Sequence, residues 1–275
     1  MDPIEAHARR LPPVDDRWIP RSHTLEQLTD GLLAGKVAGT ASHPLDNVRG
    51  NIQKLLAGDP DKQFGMTRLS DRLDLEGVLD LVADAAGAPI DRLARTGPVD
   101  IDPERVVLAC EAIGERLARA CERGEAVVVA TGHPVGLGLL YGEIARLLAA
   151  GGAKILKPAD GLTWKQPESH HVRQIRYLDG VAMLTDKASA RHTHSGVPME
   201  RMLAEQRPDL VVGDHGFAGA AIEAGVEAVS VADVNDPALL VARAQGRTEV
   251  VVVMDDNVEP DAYWPCFQAI SARVR

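Results

Sequence analysis

The sequence is poor in aromatic side chains and lacks an excess of positive charge. Its 275 residues include three Trp, three Tyr and three Phe, and 30 basic residues against 40 acidic ones give a net charge of −10. Nucleic-acid-binding surfaces gain affinity from clustered Lys and Arg and, for single strands, from aromatic rings on which bases stack. The composition therefore argues against a nucleic-acid partner.

The sequence also lacks long apolar runs and a full set of paired cysteines. No stretch approaches the roughly 18 apolar residues of a membrane-spanning helix, and the N-terminal segment has no apolar region typical of a secretory signal. Of the three cysteines, Cys110 and Cys121 are predicted to lie on one helix, roughly 16 Å apart and too far for a disulfide bond. We therefore expect a cytoplasmic protein without membrane contact.

The pattern of apolar residues predicts an α/β fold. Three- and four-residue steps predict helices over 25–33, 45–56 and 73–86, and a longer helix is expected from Asp102-Pro103 to Gly124. Beyond it, short β-branched runs alternate with amphipathic helices, which favours a three-layer, Rossmann-like, mostly parallel sheet. We expect a helical layer or cap over residues 1–100 and an α/β catalytic domain over 101–275, or one continuous domain.

Four polar clusters each follow a predicted strand. They are Thr131-Gly132-His133, Gly213-Asp214-His215-Gly216, Asp233-Val234-Asn235-Asp236 and Asp255-Asp256-Asn257. In a parallel sheet the carboxyl ends of all strands share one edge, and open α/β sheets bind ligands there. We therefore expect the four clusters to converge, although they lie far apart in the sequence.

Converging carboxylates favour a bound cation, because they repel one another unless a positive charge lies among them. Oxygen-rich sites suit Mg²⁺ or Mn²⁺. The predicted ligands are Asp214, Asp233, Asp255 and Asp256, with Asn235 or Asn257 completing the shell. Helix capping is the alternative for each of these residues, and it is favoured for Asp236, directly before Pro237.

Histidines near the same strand ends are candidates for acid–base chemistry and for ligand binding. His133 and His215, with Asp214, are the predicted catalytic residues. His192 and His194 lie two positions apart in an extended segment and so face one side, as a ligand pair must. An exposed polar loop explains that pair equally well, and it is the preferred interpretation of His170-His171.

Three further positions are predicted to contact a substrate or to approach it. Gly132 and Gly216 are expected to leave backbone N–H groups open to phosphate oxygens at helix N-termini. Arg49 lies in the segment 42–51, whose polar residues either point down from the helical layer towards the sheet or form an N-cap and an exposed helix face.

Several familiar catalytic patterns fail on their context. Cys110 and Arg116 have the C-x5-R spacing of cysteine phosphatases but lie inside a predicted helix. The glycines after residue 212 do not match the dinucleotide-binding spacing, and the sequence has neither a P-loop ending nor a G-x-S-x-G turn. A Rossmann dehydrogenase and a P-loop kinase are therefore disfavoured.

Five segments in a fixed order resemble a known family. They are Ala130-Thr-Gly-His-Pro134, His192-Thr-His-Ser195 with Pro198-Met199, Asp209-Leu-Val-Val-Gly-Asp-His-Gly216, Ala232-Asp-Val-Asn-Asp-Pro-Ala-Leu239, and Asp255-Asp-Asn-Val258 with Tyr263. Together they are similar to actinobacterial proteins known simply as phosphatases, over roughly Glu125 to Pro265. The chain differs from that pattern at Phe217, where Trp is expected.

The resemblance and the strand-end clusters lead to one preferred hypothesis and two alternatives. The preferred function is hydrolysis of a small phosphorylated metabolite, a phosphate monoester, with one or two Mg²⁺ or Mn²⁺ ions at the carboxyl edge of the sheet. The alternatives are a non-hydrolytic binder of a phosphorylated or nucleotide-like metabolite, and an isomerase or lyase that uses His133 with an aspartate.

Overall fold

A computed structural model describes residues 23–71, 73–165 and 172–274 of the chain. The helices are α1 (Leu25–Ala34), α2 (Leu45–Leu56), α3 (Pro60–Gln63), α4 (Leu75–Ala86), α5 (Pro103–Arg123), α6 (Gly138–Ala150), α7 (Val197–Glu205), α8 (His215–Glu223), α9 (Ala238–Ala244) and α10 (Trp264–Ser271), with a 3₁₀ turn over Pro260–Tyr263. The strands are β1 (Gly39–Thr40), β2 (Asp100–Ile101), β3 (Ala126–Thr131), β4 (Lys154–Ile155), β5 (Thr163–Lys165), β6 (Val172–Leu178), β7 (Val181–Asp186), β8 (Ser189–Ala190), β9 (Leu210–Asp214), β10 (Glu227–Ala232) and β11 (Val250–Val253).

Helix α5 shows how local sequence signals set the boundaries of these elements. The Asp102 side chain accepts a hydrogen bond from the Glu104 N–H, Pro103 occupies the first turn, and Gly124 ends the helix in the left-handed conformation at φ 60°. The apolar stripe of the helix, which includes Cys110, is buried. Cys110 is therefore a core residue, and all three cysteines are free.

The predicted α/β architecture with a mostly parallel sheet is confirmed. Strands β11, β10, β9, β3 and β7 lie side by side in that order, and each neighbouring pair is parallel. Strands β3 and β9 are almost wholly buried, as expected for strands covered on both faces. Helices α1, α5, α6 and α10 form one packed group, and α7, α8 and α9 form another.

The sheet also has an antiparallel extension that departs from the expected order of strands joined by helices. Strand β6 pairs antiparallel with both β5 and β7, and β8 pairs antiparallel with β7. Strands β6 and β7 are joined by Asp179 and Gly180, both at positive φ. Such an Asp-Gly pair is typical of a tight hairpin turn.

The N-terminal helices are continuous with the rest of the molecule. Strand β1 pairs with β2, the Asp255 N–H donates to the Val37 carbonyl, and one hydrophobic core includes Leu28, Val48 and the strand residue Val128. The predicted division at residue 100 stays a prediction. Within the described ranges, no helix has the length and apolar character needed to cross a bilayer.

Candidate functional site

The order of the strands creates a crevice between the carboxyl ends of β3 and β9. The chain leaves β3 towards β7 on one side and later returns to β9 on the other side. Ligands of open α/β sheets bind at such a reversal of strand order. Thr131 ends β3 and Asp214 ends β9, so two of the four predicted clusters meet at this point.

Asp214 is a fully buried carboxylate with partners on both oxygens. It accepts hydrogen bonds from the Thr131 hydroxyl and the Gly132 N–H, both at 2.6 Å, and its Oδ1 lies 2.9 Å from His215 Nδ1. Burial alone would raise the pKa of Asp214, but the bond to His215 and the other donors hold it below its usual value. The residue therefore carries its charge and orients the histidine beside it.

His215 occupies a strained position between the strand and the helix. It begins α8 directly after β9, and its φ of 43° is unusual for a residue with a side chain. Its Nε2 lies 3.5 Å from Asp256 and 3.9 Å from Asp236. Burial opposes its protonation, but the bond to Asp214 and the nearby acids raise the pKa of His215 to about 9.

Three other histidines gather around His215. The ring of His194 is stacked on that of His215 at 4.8 Å between centroids, and His192 lies 5.2 Å from His215. His133 lies 4.7 Å from His192 and 5.9 Å from His215. These four residues, His133, His192, His194 and His215, are called the histidine cluster below.

The other three members of the histidine cluster favour the neutral form. Burial, reinforced by the charge of His215, lowers the pKa of His192 to about 4 and also lowers the pKa of His133 and of His194. Neutral imidazole is the form that binds metal ions and accepts protons. Among the described residues, the Nδ1 of His133 is buried and has no hydrogen-bond partner.

The segment around α3 completes the histidine cluster, and sequence reasoning missed its role. His194 Nδ1 lies 3.0 Å from the Asp61 carboxylate, and the Phe64 ring meets His194 and His215 edge-on at 5.1 and 5.2 Å. Lys62 donates to Asp236 at 2.9 Å. This Gly/Pro/Asp-rich segment predicts only a turn, and no local signal identifies these contacts.

Asp236 is not the helix cap that its position before Pro237 predicts. Helix α9 has no side-chain cap, and the Asp236 carboxylate instead lies between Lys62 and His215. These two cations hold the pKa of Asp236 below its usual value against the effect of burial. A buried carboxylate gains more from two positive neighbours than from a single backbone N–H group.

Gly132 and Gly216 serve close packing in this structure, and the expected open N–H at Gly132 is not found. The Gly132 N–H donates to Asp214, and a Cβ at this position would lie 2.4 Å from the Thr193 carbonyl oxygen. A Cβ at Gly216 would lie 2.3 Å from the backbone of Ser195. The absence of side chains here lets the segment that carries His192 and His194 approach β3 and α8.

Two carboxylates after β10 and β11 form a second group with residues of the segment before α2. This group, called the aspartate cluster below, consists of Asp233, Asp255, His43 and Ser42. Asp233 lies 2.8 Å from His43 Nδ1 and accepts from the Val234 N–H. Asp255 accepts from the N–H and hydroxyl of Ser42, at 2.5 and 3.0 Å. Ser42 and His43 therefore point down from segment 42–51 towards the sheet edge, as one of the two expectations has it.

The predicted amide ligands lie beside the aspartate cluster. Asn235 bonds through its side chain to Asn47 and accepts from Asn51 at its carbonyl, at 3.2 and 2.9 Å. Asn257 donates its backbone N–H to Asp255 at 2.9 Å. Asp256, another predicted ligand, also follows β11 but reaches the histidine cluster, where its carboxylate lies 3.5 Å from His215 Nε2. Burial raises the pKa of Asp256 well above its usual value.

Arg49 is not brought to either cluster. Its guanidinium donates to Glu76 at 3.1 Å and to the Arg92 carbonyl at 3.3 Å. Asn51, two positions along α2, faces the sheet, and side chains two apart on a helix point in different directions. His170 and His171 lie outside the described residues.

The donors that could hold a metal ion are imidazoles, whereas the sequence predicts carboxylates. Among the described residues, the group of His, Cys, Asp or Glu side chains with this geometry is His192, His194 and His215, whose ligand atoms lie within 4.8 Å of one another. Asp214 and Asp61 contact the Nδ1 atoms of His215 and His194, as carboxylates behind metal-bound histidines commonly do. The predicted ligands Asp214, Asp233 and Asp255 are instead occupied by hydrogen-bond donors.

The histidine cluster is reached from two sides. His133 lines a cavity of about 920 Å³ together with Lys36, Asn257 and the 3₁₀ turn. His192 lines a second cavity, of about 690 Å³, between the antiparallel strands and α7. A small molecule can therefore approach the cluster from either cavity.

Comparisons with known proteins identify the family of this chain. A profile of the family described as Phosphatase matches residues 22–275. A Streptomyces coelicolor protein named Phosphatase SCO2771 is 38% identical over 253 residues, which cover 90% of this chain and 94% of the relative. No solved structure matches significantly. The chain belongs to this phosphatase family.

Proposed function

We propose that this member of the phosphatase family hydrolyses a phosphate monoester of a small metabolite at the histidine cluster. The observation that carries the proposal is the convergence of His192, His194 and His215, with ligand atoms within 4.8 Å, at the strand-order reversal of the sheet. The family match supports the reaction class. The site geometry supports the location.

A divalent transition-metal ion fits the three imidazoles better than Mg²⁺, which prefers oxygen ligands. We propose Zn²⁺ or Mn²⁺ held by His192, His194 and His215, with the Asp256 carboxylate close by. Bound there, the ion would polarise the phosphoryl group and lower the pKa of a water molecule. The sequence-based expectation is Mg²⁺ or Mn²⁺, so Mn²⁺ is common to both proposals and Zn²⁺ is added because the donors are imidazoles.

The protein groups have separate tasks in this proposal. Asp214 fixes the His215 ring through Nδ1 and leaves Nε2 facing the cluster. His133 stays neutral because burial lowers its pKa, so it can accept a proton from the attacking water or, once protonated, donate one to the leaving alcohol. The crowded backbone near Gly132 and Gly216 keeps these groups in fixed positions.

The experiment is a panel of phosphate monoesters assayed before and after chelation, with Zn²⁺, Mn²⁺ or Mg²⁺ restored one at a time. Phosphate release that disappears on chelation and returns with Zn²⁺ or Mn²⁺ supports the proposal. Metal content measured by mass spectrometry should fall in His194→Ala and stay unchanged in His23→Ala, a histidine outside the cluster. Phosphate release that is insensitive to chelation would contradict the proposed metal ion but not the proposed hydrolysis.

One observation favours a second function, metal-free acid–base catalysis of an isomerase or lyase. With a pKa of about 9, His215 is an imidazolium at neutral pH in the absence of metal, while His133 stays neutral. Such a pair of one acid and one base can move a proton across a substrate. This function predicts activity without metal and no phosphate release from any ester.

A further inference from the structure

The second cavity, which we call the cationic cleft, is lined by positively charged side chains. It is lined by Lys165, Arg173, Arg191 and Arg201, together with Trp164 and His192. Among its described lining residues there is no carboxylate, although the whole chain carries a net charge of −10. Concentrated positive charge in an acidic protein indicates a surface that meets an anion.

The antiparallel extension of the sheet builds this cleft. Trp164 of β5 pairs in register with Arg173 of β6, and Arg191 follows β8. Arg201 comes from the opposite wall, on α7. Residues from separate elements thus bring their positive charges to one concave space, at the cost of mutual repulsion in the free protein.

Arg201 is held in a fixed orientation for binding. Its guanidinium carbon lies 4.7 Å from the centre of the Trp164 ring, so the indole supports the planar cation. Within the described residues its Nε is buried without a hydrogen-bond partner. A buried guanidinium N–H without an acceptor is costly, and a phosphate oxygen entering the cleft would supply one.

The cationic cleft is continuous with the histidine cluster through His192, which belongs to both. A molecule whose reacting phosphate lies at the cluster therefore extends into the cleft when it carries a further group on that side. Arg191 contacts Asp186 at 3.1 Å, and Arg173 also has an interaction partner, so neither counts as an unpaired cation of the cleft. The charges of Lys165 and Arg201 together match a dianion better than a single carboxylate.

We propose that the cationic cleft binds a second phosphate group of the substrate, so that the preferred substrates carry two phosphates. This inference rests on the proposed function for the fate of the first phosphate, but binding in the cleft does not require hydrolysis. Arginine recognises phosphate with paired N–H donors, a geometry that lysine or a neutral side chain cannot reproduce.

The first test measures binding alone, with inorganic pyrophosphate as the probe. Calorimetric titration should give affinities about tenfold weaker or more for Arg201→Gln and Arg173→Gln, because each removes charge-assisted hydrogen bonds. The matched control is Arg176→Gln, on the same strand as Arg173 but pointing to the other face, where Asp160 lies 3.7 Å away. Pyrophosphate should also change the fluorescence of the wild type, and Trp164→Phe should remove that change.

Equal affinities for the wild type, both cleft variants and Arg176→Gln would overturn the inference. Binding of a dicarboxylate such as malonate as tight as that of pyrophosphate would overturn the choice of phosphate.

The second test compares a sugar monophosphate with the corresponding bisphosphate. The bisphosphate should have the higher kcat/KM, and Arg201→Gln should remove that advantage through KM with little change in kcat, since the cleft contacts a group that does not react. Monoester hydrolysis without any advantage of a second phosphate would overturn the inference and leave the proposed function intact. Pyrophosphate binding that depends on the cleft, without hydrolysis of any ester, would support the inference and overturn the proposed function.

Discussion

The two polar clusters at the carboxyl edge of the sheet each contain a histidine bonded to a buried aspartate, but they differ in how many of their polar atoms already have partners. In the aspartate cluster, Asp233 and Asp255 are each bonded to the segment before α2, through His43 and Ser42. In the histidine cluster, His215 is oriented by Asp214 but keeps its Nε2 directed at other side chains, and His133 has a buried nitrogen without a described partner. One cluster is saturated by the protein, and the other retains binding capacity.

This difference teaches that residue type does not decide which polar groups near the strand ends keep unpaired atoms. An aspartate–histidine pair is present at both places, Asp233 with His43 and Asp214 with His215, and both aspartates lie at the carboxyl ends of parallel strands. The segment before α2 bonds to Asp233 and Asp255, whereas His133, which follows β3, and His192 each line a cavity. A polar group that already has its partners stabilises the fold, and a group that lacks them can bind a ligand.

The largest effect is expected from His194→Ala. Removal of one proposed ligand should lower kcat/KM for a phosphate monoester by at least about 100-fold, more than the loss of a residue behind a ligand. Kinetics and metal content on the same preparations measure this, with His23→Ala as the control. Full activity in His194→Ala would contradict the proposal that the histidine cluster, unlike the aspartate cluster, takes part in the reaction.

Asp214→Asn should have the next largest effect. The amide is nearly isosteric but cannot support the charge on His215, so metal affinity or activity should fall by about 10- to 100-fold. Titration of the chelated protein with Zn²⁺ measures the affinity directly. Asp46→Asn, on an exposed turn of α2, should be neutral, and an equal loss there would point to a general effect of charge.

Asp255→Ala should affect stability and leave chemistry largely unchanged. Loss of its hydrogen bonds to Ser42 and Asn257 is expected to lower the free energy of unfolding by about 1–3 kcal/mol. Urea denaturation measures this against Asp30→Ala, which changes an exposed acid on α1. A stable variant without activity would instead assign Asp255 to the reaction.

The smallest effect concerns the pH dependence of the aspartate cluster. The hydrogen bond to Asp233 raises the pKa of His43, with Asp255 and Asp256 adding to it. A raised pKa stabilises the fold fully below the unfolded value of about 6.5, and this stabilisation is lost as the pH rises through the folded value.

The free energy of unfolding of the wild type should therefore exceed that of His43→Gln at low pH, and the difference should shrink as the pH rises above about 6.5 and through the raised pKa of His43. Denaturation curves at each pH measure it. A difference that stays constant with pH would mean that His43 contributes only through packing.

Much of the fold follows from local patterns in the sequence. The stop and start signals of α5 and the β-branched runs of β3 and β9 predict these elements to within two residues. The Asp179-Gly180 pair is likewise a local signal, which is typical of a hairpin. Short strands such as β1 and β2 have no such signal, because only their pairing defines them.

The candidate site was predictable in its location and less so in its chemistry. His133, Asp214 and His215 meet as expected, since parallel strands must end at one edge. Asp61 and Phe64 were not predicted to lie there, because they arrive from a turn distant in sequence. The proposed metal ligands are imidazoles and not the expected carboxylates, because residues distant in sequence, His43 and Ser42, already bond to Asp233 and Asp255.

The sequence by itself determined the alternation of strands and helices and the sharing of one sheet edge by four polar segments. Both follow from periodicity and connectivity, which are local or topological properties. Only the tertiary structure decided which of those polar groups are satisfied. Burial and hydrogen bonding depend on residues far away in the chain, and it was Ser42 and His43, packed over the ends of β10 and β11, that separated the aspartate cluster from the histidine cluster.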